Sequence, residues 1–296
     1  MMNRLSPFIS FIEQKKAAIF FGAGISKIAG CSGLRDICRK LSEIKSVQEL
    51  IKSQNPDAVP RKELIAFCKS ICNRCDNDRR IFDGIMRQGL TFKADEFYRD
   101  YLPFIKKLKQ VIPFPSIMTT NVDDCLAKTG QFDLTRIFYK ESDIRIDLFR
   151  DIGIFHIHGY VEDSGGQLWD LFDYPERYGK ENFKEFIINA FKEYSILFLG
   201  YGFGDDDELK QLMGSARKET EQPKKHYALL PTDEEHPHVN DAMYDELFNV
   251  QILRYGSKAD FLRMFGDWID SNFNPAKLGK DEDVSHLPSI SEGASR

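Results

Sequence analysis

The stretch Phe20-Phe21-Gly22-Ala23-Gly24-Ile25-Ser26 decides how this chain is read, because an apolar run ends abruptly there in small residues followed by a hydroxyl. Ala17 to Phe21 is an unbroken apolar segment of strand length, the kind that fills a parallel sheet covered on both faces. Two glycines then let the backbone come close to a ligand, and Leu34, Ile37, Cys38, Leu41 and Ile44 recur at helical spacing beyond them. Strand, glycine turn and helix in that order leave unpaired backbone N–H groups and a positive helix end facing one point, which suits a pyrophosphate. The turn departs from the dinucleotide fingerprint Gly-x-Gly-x-x-Gly, since Lys27 stands at the place of the third glycine. Nor does an acidic residue close a second strand about 20 residues further on, so the ordinary dehydrogenase reading is demoted.

Composition narrows the field. With 296 residues, 42% of them hydrophobic, the chain can bury a full core, and one α/β domain with an insertion fits better than two independent domains. No segment approaches the apolar length of a membrane span, and Met1 to Pro7 lacks the apolar core of a signal peptide, so a cytoplasmic chain is expected. A net charge of −5 argues against a protein whose main task is gripping nucleic acid through a basic surface. Lys106-Lys107 with Lys109, and Lys224-Lys225, read as solvated faces. All six cysteines precede residue 126, which is not the dispersed framework of a secreted disulfide protein, so reduced thiols are expected. Cys68, Cys72 and Cys75 are spaced to share one helical face as small apolar residues, and the fourth ligand of a structural zinc site is not evident.

In chain order, residues 4 to 16 predict a helix with Ser6-Pro7 at its start, leading into the first strand. Residues 46 to 110 carry no strong strand signal and predict a helical insertion, broken at Asn55-Pro56-Asp57, Val59-Pro60 and Asn73 to Asp78, with a kink expected at Pro103. From Ile112 the strand pattern returns. Three apolar segments then end in polar residues: Pro115 to Thr120 at Asn121-Val122-Asp123-Asp124, Ile152 to Ile157 at His158-Gly159, and Ser195 to Leu199 at Gly200-Tyr201-Gly202-Phe203. In an open parallel sheet, ligands bind beyond the carboxyl ends of the strands near the switch point, so these ends are expected to converge on the Gly22 turn. His226 to Leu230 and Asn249 to Leu253 predict two more strands, and Phe261 to Phe273 a closing helix. Residues 1–273 are thus expected to form the domain, and the polar segment 274–296 a tail that reads as disordered unless it docks on a neighbouring subunit or partner.

Each polar position also has a structural reading. Asn121 and Asp123 suit helix caps. His156 and His158, two apart on a strand, share a face, and one of them is expected to be structural. Asp205 to Glu208 suits a helix N-terminus, and Tyr201 and Phe203 suit either the core or the wall of a cofactor cleft.

Taken together, Gly22-Ala23-Gly24-Ile25-Ser26 with Ala29-Gly30, Thr119-Thr120-Asn121-Val122-Asp123, Ile157-His158-Gly159 and Phe198-Leu199-Gly200-Tyr201-Gly202-Phe203-Gly204-Asp205 resemble the sirtuin superfamily. The resemblance spans most of residues 15 to 255 and is to the sirtuin-like branch of prokaryotic antiviral defence systems. It implies a Rossmann-like doubly wound α/β fold and NAD as substrate. Gly22, Ala23, Gly24, Ser26 and Arg35 would contact NAD, with Thr120, Gly200, Tyr201, Phe203 and Asp205 completing its site. Asn121 would position the ribose and the attacking water, Asp123 would hold the nicotinamide carboxamide, and His158 would act as base toward a ribose hydroxyl or water. The sequence Ser32-Gly33-Leu34-Arg35 replaces the Pro-Asp-Phe-Arg of a deacetylase, and no cysteine follows Cys125 to build the deacylase zinc module. The implied reaction is therefore hydrolysis of the nicotinamide–ribose bond, with no zinc expected and deacylation disfavoured. Because nicotinamide leaves from a pyridinium, the acid that glycosidases need for an alkoxide leaving group is unnecessary. The resemblance further implies a homo-oligomer and a defence partner, a HerA-like ATPase being one candidate, with neither membrane nor sequence-specific nucleic acid involved. Two other classes compete: a metal-dependent hydrolase built on His156 and His158 with Asp123 or Asp124, and a non-catalytic NAD-binding assembly module.

Overall fold

The computed structural model describes residues 2–51, 61–111, 116–151, 153–161, 173–204, 207–232 and 239–273. The strongest apolar runs become strands: β1 Ala17–Phe21, β2 Ser116–Thr119, β3 Ile137–Phe138, β4 Ile154–His156, β5 Ser195–Leu199, β6 His226–Pro231 and β7 Val250–Tyr255. All pair in parallel in one sheet of order β3-β4-β2-β1-β5-β6-β7. The expected doubly wound α/β architecture is present.

Every residue of β1, β5 and β6 is buried, and the two-residue period sorts their side chains between two cores. Ile19, Phe21, Leu197, Leu199, Tyr227 and Leu229 pack on one side with Phe8, Phe104, Phe265 and Trp268, from helices Ser6–Glu13, Leu102–Val111 and Lys258–Phe273. Ala18, Phe20, Ile196, Phe198, Ala228 and Leu230 pack on the other with Phe186, Leu209 and Tyr244, from helices Glu181–Glu193, Asp207–Lys218 and Asp241–Phe248. The sheet is thus a shared wall between two apolar layers.

Among the described residues no strand interrupts the chain between β1 and β2. Helices Leu34–Ser42, Lys45–Ile51, Arg61–Cys72 and Asp76–Leu90 close on a third core of Ile37, Leu41, Val47, Leu64, Ile65, Cys68, Phe82 and Met86. Cys68 and Cys72 lie in that core, where burial is the largest cause raising their thiols to about 12 and about 11. Cys75 departs from the expected face. The helix ends at Cys72, at the break expected over Asn73 to Asp78, and Cys75 is the exposed residue that precedes the next helix.

Two further details differ from expectation. The missing N–H of Pro103 is accommodated by a π turn at Phe97–Tyr101, in which the Leu102 N–H donates to Phe97 O before the α-helix continues. The edge strand β3, paired with Ile154 and Phe155, is too short at two residues to leave a periodic signal. The breaks at Asn55-Pro56-Asp57 and Val59-Pro60, and the tail 274–296, lie outside the described residues. No helix among the described residues is long and apolar enough to cross a membrane.

The chain leaves β1 to build β2, β4 and β3 on one side, then crosses to build β5, β6 and β7 on the other. The switch point therefore falls at the carboxyl end of β1, where the glycine turn begins.

Candidate functional site

The register pairs Phe21 with Leu199, so the glycine turn after β1 and the Gly200 loop after β5 emerge side by side. Gly22 N donates to Leu199 O at 3.0 Å and Gly24 N to Gly200 O at 2.8 Å. Side chains do not fit between these backbones: a Cβ on Gly22 would stand 2.4 Å from Tyr201 Cα, and one on Gly24 2.8 Å from Gly200 Cα. The expectation of unpaired amides needs correction here. Gly24 N is committed to the neighbouring loop and Ile25 N to Gly22 O at 3.0 Å, while Ala23 is exposed.

The loop after β2 is tied to the same turn. Thr120 N donates to Phe21 O at 3.2 Å, and Thr119 Oγ1 donates to that oxygen at 3.0 Å while accepting from Asn121 N at 2.9 Å. This aims Asn121 backward: its Nδ2 donates to Gly22 O at 3.0 Å and to Ser26 Oγ at 2.8 Å. Ser26 Oγ in turn donates to Asp123 Oδ2 at 2.5 Å, and Asp123 Oδ1 accepts from Cys125 N at 3.0 Å. Asn121 therefore serves the glycine turn and not a following helix, whereas Asp123 does both. Ser26 and Asp123 are buried, which makes this charge-assisted chain strong and costly to interrupt.

The two histidines diverge where β4 ends. His156 Nδ1 donates to the Asn121 carbonyl at 2.7 Å, and its ring lies 4.7 Å from that of Tyr160. Burial lowers its pKa, against the bond to Asn121 and the charge of Asp123, which raise it. His156 thus braces the Asn121 loop. His158, also buried, bonds through Nε2 to the Tyr178 hydroxyl at 2.9 Å and sits with Nδ1 3.4 Å from the Tyr174 hydroxyl. Both tyrosines come from helix Asp173–Tyr178, and the Lys62 ammonium lies 3.6 Å from the Tyr174 ring centre. Among the described residues, the ligand atoms that gather in threes within 4.8 Å are those of Cys31, Asp123 and Cys125, with neither histidine among them. A metal held by His156 and His158 together with an aspartate does not match this geometry.

Above these elements opens a cleft of about 980 Å³. Ala23, Gly24, Ser26, Arg35, Thr120, Asn121, Asp123, His158, Gly200, Tyr201 and Phe203 line it, so nearly all the residues singled out in the sequence share one cavity. Gly22 stands behind the lining, and Asp205 lies outside the described residues. Tyr201 and Phe203 are wall and core at once: buried, with their rings 4.9 Å apart and packed on Phe198. Phe203 holds φ at 55°, a conformation costing a side chain about 1–2 kcal/mol, which the surrounding aromatic packing sustains. The lining also brings in Arg61, Lys258, Lys27 and Tyr174. Among the described residues, four cationic side chains thus line the cavity against one carboxylate, Asp123, with Lys258 also paired to Glu96 and Asp100, a balance suited to an anionic ligand.

Residues 115–253 match the family model of the SIR2-like domain. The chain carries a SIR2-like domain. Members of this family are NAD-dependent enzymes. No curated protein matches the chain significantly. The matched SIR2-like stretch includes Asn121, Asp123, His158 and the Gly200 loop, while the glycine turn lies ahead of it in sequence. Hydrogen bonds from Asn121 and Gly24 join that turn to the SIR2-like segment. Tyr174, Tyr178, Arg61, Lys27 and Lys258 are lining or contact residues that the sequence did not assign to the site. The i, i+4 spacing of the tyrosines is visible in the chain, but nothing local marks His158 as their partner.

Proposed function

We propose that this SIR2-like protein hydrolyses the nicotinamide–ribose bond of NAD, releasing nicotinamide and ADP-ribose. The observation that carries the reading is the Asn121–Ser26–Asp123 chain opening on the cationic cleft that also takes His158. A dinucleotide with two phosphates suits a cavity of about 980 Å³ bordered by Lys27, Arg35, Arg61 and Lys258.

In this reaction the ribose C1′–N bond breaks, its electron pair leaves with nicotinamide, and water supplies the new C1′–O bond. Both Nδ2 hydrogens of Asn121 are committed to Gly22 and Ser26, so its Oδ1 is the atom assigned to a ribose hydroxyl or the water. His158 receives the proton, and Tyr178 and Tyr174 orient its ring. Asp123 already accepts from Ser26 and Cys125, and its first role is to hold Ser26 and, through it, Asn121. Pairing with the carboxamide would require the Ser26 contact to open. Gly24 and Ser26 with Arg35 are assigned to the phosphates, and because the Gly24 amide and the Ser26 hydroxyl hydrogen are both committed within the protein, Arg35 and the exposed Ala23 backbone lead that contact.

The antiviral role, a homo-oligomer and a HerA-like ATPase partner belong to this proposal on the strength of the sequence resemblance. A second reading, an NAD-binding assembly module without turnover, is favoured by one observation: the Gly24 and Ile25 amides are already bonded within the protein.

The deciding experiment incubates purified full-length protein with NAD, alone and with an acetyl-lysine peptide, and separates nicotinamide, ADP-ribose, cyclic ADP-ribose and acetyl-ADP-ribose by chromatography. Release of nicotinamide without peptide is expected, abolished in Asn121→Ala and His158→Ala and insensitive to a strong chelator. Turnover unchanged in both folded variants refutes the assignment. NAD binding by calorimetry with no release selects the assembly-module reading.

A further inference from the structure

We propose that Cys31 and Cys125 form a reversible disulfide under a peroxide-class oxidant, a modification site built into the floor of the cleft. Their sulfurs lie 3.4 Å apart, both residues are buried, and Cys31 lines the cavity while Cys125 does not. A small oxidant therefore meets Cys31 first. The Cys31 thiol also lies 3.3 Å from the Leu90 carbonyl, so its hydrogen is directed there and its sulfur accepts from Cys125. That contact, ahead of burial, raises the pKa of Cys125.

The backbone explains what the link would do. Cys31 N donates to Ser26 O at 3.1 Å, and Cys125 N donates to Asp123 Oδ1 at 3.0 Å. The two cysteines are thereby attached to the two residues whose side chains meet at 2.5 Å. A covalent bond between the sulfurs would tie the same pair of segments that the Ser26–Asp123 bond ties, from the other side. In the first step the Cys31 sulfur attacks a peroxide oxygen, giving a sulfenic acid and releasing hydroxide, which becomes water with the thiol's proton. The Cys125 sulfur then displaces hydroxide from the Cys31 sulfur, and its own proton leaves as part of a second water. Two thiols lose two hydrogens and two electrons, and the peroxide is reduced to two waters. The inference stands on sulfur geometry alone and does not depend on NAD turnover.

The test uses the full chain carrying Cys75→Ser, which removes the exposed thiol that would otherwise cross-link copies. After treatment with hydrogen peroxide and blocking of free thiols, a non-reducing peptide map is expected to show a Cys31–Cys125 linked peptide that dithiothreitol releases. Thermal unfolding is read in parallel on a chain that also carries Ser26→Ala. Oxidation is expected to raise its melting midpoint by roughly 5 °C and to leave the midpoint unchanged when Cys31→Ser is added. Peroxide that leaves both thiols free, or carries Cys31 to sulfinic acid without a linked peptide, overturns the proposal. So does stoichiometric zinc in the purified chain that blocks both thiols, which would assign Cys31, Asp123 and Cys125 to a metal instead. If Ser26→Ala does not fold, the peptide map in the Cys75→Ser chain decides alone.

Discussion

Ser26→Ala is expected to reveal how much of the site rests on one hydroxyl. Ser26 Oγ gives its hydrogen to Asp123 Oδ2 at 2.5 Å and accepts one from Asn121 at 2.8 Å, with Ser26 and Asp123 exposed by only 6% and 5%. Removing it leaves one oxygen of a buried carboxylate without its donor, and hydrogen bonds to charged groups contribute about 1.5–3 kcal/mol each. The variant should therefore lose about 2–3 kcal/mol of stability, although it deletes a single oxygen. A double-mutant cycle with Asp123→Asn, read by urea unfolding, isolates the pair. A coupling of about 1.5–3 kcal/mol is expected, since the double variant no longer buries an unmatched charge. A coupling below about 0.5 kcal/mol, the limit of additivity for independent sites, would refute the claim that Ser26 and Asp123 act as one unit.

Gly200→Ala places a Cβ 2.5 Å from Ile25 N and 2.8 Å from Gly24 C at a φ of +66°, so it should lose about 2–4 kcal/mol in urea unfolding. Gly84→Ala, in a helix with no neighbouring atom within 4 Å, should gain about 0.5–1 kcal/mol, and equal effects of the two would contradict the packing described. Burial, aided by Lys225 and Lys224, holds His226 at about 3 against the ordinary 6.5 of a histidine, and its Nδ1 accepts from Ile196 N at 3.2 Å. Below pH 6.5 the unfolded chain takes up a proton that the folded chain refuses, so this contribution is complete above pH 6.5 and is lost as pH falls toward 3. The loss reaches about 2 kcal/mol at pH 5, and His226→Gln should flatten that part of a stability–pH curve; an unchanged slope would count against the buried neutral imidazole.

What the sequence by itself determined is the set of segments that become sheet and turn. Ala17 to Phe21, Ser195 to Leu199 and His226 to Leu230 are buried on both faces, and such strands announce themselves as unbroken apolar runs. The polar residues that end β2, β4 and β5 were legible for the same local reason, as was their approach to Gly22, which follows from parallel strands ending on one edge. The roles within that cluster were not legible. That Asn121 turns back to Gly22, that His156 braces a carbonyl while His158 meets Tyr178, and that Cys31 lies against Cys125 depend on sheet order and register. Local composition also hid β3, whereas the break over Asn73 to Asp78 was legible and itself takes Cys75 off the face expected for it. Periodicity reports which side of its own element a residue occupies. Ser26 and Asp123 are 97 residues apart in the chain, and only the packing of β1 against β2 brings their oxygens to 2.5 Å.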